Sequence, residues 1–295
     1  MGLDRANYHG WQGRLESPWW ACLAMVRVAL LQVFRRKLYW IVLAVGLGQF
    51  LLFFSVIYGV TQFQLPAKSQ QRLLKNFGFS AEAERGNESG YTRFIERQGR
   101  VVMILLAFSG SLLVGSDFRG QALPFYLSRR IDRRHYIAGK LLAVSAVISL
   151  LTVVPALLLF AEYGMFTGST DYWLENLHVP VSIFIYGAVL CTVLGLLLVT
   201  ISAYVQRLIP IAILWASLFV LLEPFGNFLS EAADNANWRL IDPWRNMHLA
   251  ANFLSGTIAE DERTQAVRAL VVLAVVCVAA LAALVHRVRA VEVVK

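Results

Sequence analysis

Long uncharged apolar runs, divided by short charged segments, recur along this 295-residue chain and constrain its fold more than any other feature. A bilayer core about 30 Å thick needs roughly 20 such residues per helix. The runs are continuous and lack the alternation of lipid-facing strands, so helices are expected rather than a barrel. Composition agrees, with 58% hydrophobic residues, 16% charged residues and a mean hydropathy of +0.58. A soluble domain of this length can bury its core with far less apolar residue.

Residues 1–16 are polar and hold no apolar h-region, so they do not read as a cleavable signal peptide. Ser17-Pro18 reads as an N-cap followed by proline at the first helical position. The segment after it carries Trp19, Leu23, Val26, Leu30 and Val33 at helical spacing, is interrupted by Arg27 and ends at Arg35-Arg36-Lys37. It is too short and too interrupted for a span, which predicts an elbow helix lying in the interface. Spans are expected at 38–63, 101–116, 141–161, 178–203, 208–229 and 267–285. The second is charge-free for only 16 residues, about 24 Å at helical rise. It needs the turns at 94–100 as an extension, or a thinned bilayer. Pro155 predicts a kink, and Glu223-Pro224-Phe225-Gly226 predicts a helix break. The expected architecture is an all-α membrane protein in two parts. Residues 1–37 form a cytoplasmic N-terminus and elbow helix, and residues 38–295 form one domain of six transmembrane helices. A re-entrant or broken segment is expected between the fifth and sixth.

Charge distribution orients this layout. With both termini inside, the inner segments hold sixteen Lys and Arg against five acids, and the outer segments hold eleven against fourteen. The clusters at 35–37 and 129–134 then lie inside, as the positive-inside rule requires. This predicts a multi-pass protein of the cytoplasmic (inner) membrane with cytoplasmic termini. The net charge of +8 thereby serves orientation, and no nucleic-acid partner is expected.

Little in the sequence points to catalysis. No GxxxxGK[ST] loop is present, and Gly139-Lys140 is followed by Leu and lacks the upstream glycine. His9, His135, His178, His248 and His286 make no metal spacing. Cys22, Cys191 and Cys277 read as small packing residues. Two acids lie near apolar runs, Glu162 and Glu223. Intramembrane acids are costly and raise the question of a gate or pathway, for which Glu162, Glu223 and Pro224 are the candidates. Both acids fall near the outer ends of their spans, where water is within reach. Ser55/Gly59 and Ser111/Gly115 have the spacing that lets helices approach closely.

The most informative stretch is 117–140. A plain positive-inside loop does not need Leu123, Phe125, Tyr126, Leu127 and Ile131 among its arginines. Exposed apolar and aromatic knobs ringed by arginine read as a docking element for a cytoplasmic partner. Asp117, Gly120, Leu127-Ser128-Arg129, Arg133, Tyr136 and Gly139-Lys140 resemble the segment after the second span in ABC-2 type permeases. Arg130 replaces the proline usual after Ser-Arg, and Asp117 stands where Glu is common. The elbow, the tight join at Arg207 and the broken stretch after span five resemble the same family.

The resemblance implies the exporter-type permease subunit of an ATP-binding cassette transporter, paired with a second copy or a homologue in the lipid bilayer. A separate cytoplasmic ABC ATPase subunit would hold the ATP and Mg, and this chain would hold no cofactor and hydrolyse nothing. Asp117, Arg119, Gly120, Phe125, Tyr126, Arg129, Arg130, Asp132 and Arg133 are the expected coupling residues. A secondary transporter, a polytopic membrane enzyme, and an ABC-2-like complex for force transmission or assembly are the competing readings.

Overall fold

The computed structural model describes residues 17–63, 66–79, 87–115, 117, 132–168 and 170–292. Every regular element among them is helical. In chain order they are α1 (Pro18–Phe34), α2 (Lys37–Gln62), α3 (Ala67–Phe77), α4 (Asn87–Gly110), α5 (Arg133–Leu151), α6 (Val153–Thr167), α7 (Thr170–Glu175), α8 (His178–Tyr204), α9 (Leu208–Ala216), α10 (Leu222–Ala232), α11 (Pro243–Ser255) and α12 (Arg263–Glu292). A π turn, Ser111–Gly115, continues α4, and a second, Ser217–Leu221, joins α9 to α10. Six helical stretches are long and apolar enough to cross a membrane: Tyr39–Gln62, Gly90–Gly115, Arg133–Thr167, His178–Tyr204, Leu208–Ala232 and Glu260–Val288.

These stretches form one bundle centred on α8, which packs against α4, α5, α6, α11 and α12. The spans of α4 and α8 are mostly buried, whereas α2, α9–α10 and α12 turn most of their surface outward. That surface exposes Trp40, Ile41, Leu52, Ile213, Val220 and Val278. Apolar exposure on this scale is foreign to a water-soluble monomer and fits helices solvated by lipid. Lipid gives helices no hydrophobic reason to associate, so close packing must hold them. Gly187 shows how: a Cβ there would overlap the Val153 side chain, so only a bare backbone lets α8 approach α6 this closely.

The charge-free run at 101–116 is shorter than the helix that contains it. α4 starts at Asn87 and buries Tyr91, Phe94, Ile95 and Gln98 along one face. The stretch Gly90–Gly115 has 26 residues, about 39 Å at helical rise. The helix runs back through the turns at 94–100 and on to Asn87, with Arg93, Glu96, Arg97 and Arg100 alternating with that buried face. The third span is interrupted at Thr152, whose hydroxyl donates to the Ile148 carbonyl at 2.8 Å, three residues ahead of Pro155.

One expectation needs correction. The predicted break at 223–226 is absent, since the chain stays helical through Pro224 to Ala232. The wide π turn at Ser217–Leu221 comes just before, so Pro224 sits in the first turn of α10, where a missing N–H costs least. In α1 the side packed on the bundle holds Cys22, Ala29 and Val33, while Trp19 and Leu23 of the apolar spacing face outward. Small residues win the inner face because α1 lies close along α5.

Candidate functional site

The helix ends carrying Lys37, Gly115, Arg133, Gln206 and Arg287 gather at one end of the bundle, called here the basic end. Arg287 Nε donates to the Ala203 carbonyl at 3.4 Å, and Tyr39 Oη to the Phe108 carbonyl at 3.2 Å. A Cβ on Gly115 would reach the Gln206 backbone at 3.4 Å, so the turn between α8 and α9 lies against the π turn that ends α4.

At this end Asp117 and Lys140 meet. Lys140 Nζ lies 2.6 Å from Asp117 Oδ2, with both side chains largely buried. Tyr136 Oη donates to the same carboxylate oxygen at 3.1 Å. Lys140 also donates to the Leu113 carbonyl at 2.6 Å, one of those a π turn leaves accessible. Tyr136 and Lys140 stand four apart on α5 and so share a face. A charge-assisted pair in a half-dry setting holds more firmly than an exposed one. The network therefore ties the residue where the 118–131 segment begins to the helix that follows its end.

α1 completes the assembly. A Cβ on Gly139 would stand 2.6 Å from Met25 Sδ and 3.4 Å from the Cys22 Cα, so α1 and α5 touch backbone to backbone. Cys22 Sγ donates to the His135 carbonyl at 3.2 Å, and the Trp19 ring meets His135 edge-on with centroids 4.9 Å apart. A cleft of about 230 Å³ lies between them, walled by Ala21, Ala24, Met25 and Val28, with Asp117 and Lys140 at its base.

Of the predicted coupling residues, Asp117 is in the network, Asp132 adjoins it through its carbonyl, and Arg133 is the first residue of α5. Asp132 occupies the N-cap position of α5 with extended backbone, and its carbonyl accepts from the Tyr136 N–H at 3.1 Å. Arg119, Gly120, Phe125, Tyr126, Arg129 and Arg130 lie outside the described residues. Tyr136 and Lys140 had only the family resemblance to mark them, and His135 carried no sequence signal.

The pathway candidates separate. Glu223 and Pro224 are exposed, whereas Glu162 is 3% exposed and does not reach water. Neither of its carboxylate oxygens has a hydrogen-bond partner among the described residues. The short helix α7 folds back on α6, and its aromatic rings pack on the residues either side of Glu162 in the same turn. Tyr172 stacks on Tyr163 at 5.3 Å, and Phe160 meets Tyr91, Tyr172 and Trp173 at 5.9, 5.5 and 5.5 Å. Burial pushes the Tyr172 phenol up to about 12, so it stays protonated.

The same end holds a polar latch that the sequence did not reveal. His248 of α11 reaches Tyr186 of α8, with Nδ1 2.9 Å from the phenol oxygen, and Nε2 lies 3.1 Å from Asn252 Nδ2. An amide nitrogen only donates, so Nε2 accepts and Nδ1 carries the proton in a neutral ring. Burial holds the His248 pKa down, against the upward pull of Glu96 and Glu262. Asp242 caps α11 by accepting from the Trp244 N–H at 2.9 Å, and Gly256 ends it in the left-handed region. Among the described residues no three His, Cys, Asp or Glu side chains gather as metal ligands would. Comparisons with models of known protein families, with curated proteins and with solved structures found no match.

Proposed function

We propose that this chain is the membrane-spanning permease subunit of an ATP-binding cassette exporter, driven by a separate ATPase that docks on segment 118–131. The carrying observation is the Asp117–Tyr136–Lys140 network, which fastens both sides of that segment to α4 and α5. Load applied to the segment is then shared by the second and third spans and, across Gly139, by α1. α1 serves as the interfacial elbow, and residues 233–259, with α11, are the excursion between the last two spans. The termini lie in the cytoplasm, so the basic end faces the ATPase. Phe125 and Tyr126 supply apolar knobs, while Arg129, Arg130 and Arg133 supply the charge that orients docking. Two copies of the chain enclose the path, and ATP and Mg reside on the partner.

Reversing charge at Arg129 and Arg133 (Arg129→Glu with Arg133→Glu) tests the reading. Loss of co-purification with an ATPase, with the chain still folded in the membrane, is the expected result. An undiminished complex would contradict it. Buried Glu162 favours a second reading, ion-coupled transport. It requires uptake or efflux by the purified chain without ATP, and loss of that flux in Glu162→Gln.

A further inference from the structure

We propose that the groove between α2, α4 and the α5–α6 junction binds an uncharged apolar molecule carrying one hydrogen-bond donor, with Gln98 as its polar anchor. The groove encloses about 400 Å³, within the size range of small-molecule sites. Leu47 and Phe50 form one wall, Leu150, Val154 and Leu158 the other, and Gln98 reaches in from α4. No charged side chain lines it among the described residues, which excludes a charged headgroup from its interior.

Gln98 gives the groove its selectivity. Its side chain is 1% exposed, and Nε2 donates to the Gly46 carbonyl at 3.2 Å. Gly46 makes that reach feasible, because a Cβ there would stand 2.9 Å from Nε2. With Nε2 so committed, Oε1 is left buried with no partner among the described residues. A buried acceptor without a donor bears the full desolvation of that group. The polar group on offer is therefore an acceptor. An acyl tail alone fills the volume but leaves it unpaired, whereas a hydroxyl or amide N–H on an apolar body satisfies it. The site draws on the lipid-facing surface and not on ATPase coupling, so either proposal can fail without the other.

Full-length protein in phosphatidylcholine nanodiscs, photolabelled with a diazirine-bearing long-chain alcohol or with its methyl ether, tests the assignment. The two probes differ by one donor. The alcohol should label α2 or α5–α6 peptides about fivefold more than the ether, the ratio that one net hydrogen bond gives. Gln98→Met should erase that preference. Val154→Trp, placed at a half-exposed position that tolerates bulk, should reduce labelling by both probes. Equal labelling by alcohol and ether in the unaltered chain would mean that bulk lipid tails occupy the groove and would overturn the proposal. A preference that survives in Gln98→Met would overturn it as well.

Discussion

Replacing Lys140 with methionine removes the cation from a carboxylate that stays buried. The two side chains are 12% and 13% exposed and their charged atoms lie 2.6 Å apart. Stripping one partner from a fully buried pair costs about 3–5 kcal/mol. Tyr136 still donates to Asp117 and some water access remains, so Lys140→Met should lose about 2–3 kcal/mol. Asp117→Asn keeps an acceptor for Tyr136 and should lose about 1–2 kcal/mol. Joining Asp117→Leu to Lys140→Met removes both charges and should cost less than the two changes summed, by about 1–3 kcal/mol of coupling. Unfolding by SDS in mixed micelles, followed by tryptophan fluorescence, reads each variant. Losses that add within about 0.5 kcal/mol would show that the two groups do not act together, and the claim that the network fastens the 118–131 segment would fall.

Leucine at Gly139 should push α1 off α5 and expose Cys22, so a maleimide that leaves the native thiol unlabelled should label the variant. Alanine at Gly187 should cost about 1–3 kcal/mol of overpacking against Val153, and Val153→Ala should restore most of it if that contact is the cause. The pH dependence of α11 follows from His248. A base whose pKa is lowered by folding is neutral in both states above its ordinary value, so its docking is at full strength there. As pH falls through about 6.5 the undocked form takes up the proton first. Protection in α11, amide exchange divided by the intrinsic rate at each pH, should therefore fall between pH 7.5 and 5.5, and His248→Gln should flatten that response. Unchanged protection would remove His248 from the latch.

The six apolar helices were legible because their residues are apolar for longer than any soluble helix needs. The second helix was legible back to the turns at 94–100 but not to Asn87, because Tyr91, Phe94, Ile95 and Gln98 form its buried face while arginines fill the gaps between them. Helical spacing of those four was the available signal. Glu162 looked water-facing because linear position places it near a span's end. Only the fold shows that it is buried. Pro224 looked like a breaker because propensity takes no account of the π turn that precedes it. Lys140 read as the last residue of the charged segment before the third span, and nothing local says that it pairs with Asp117, 23 residues earlier. The Tyr186–His248 contact joins residues 62 apart, and a lone histidine in a polar stretch has no pattern to mark it.

The mass of the complex extracted from native membranes tests the central claim most directly. Native mass spectrometry should find two permease copies together with two copies of a nucleotide-binding subunit, and ATP hydrolysis should belong to that assembly and not to the isolated chain. A chain that leaves the native membrane intact, transports its cargo, and carries no nucleotide-binding subunit would contradict the account.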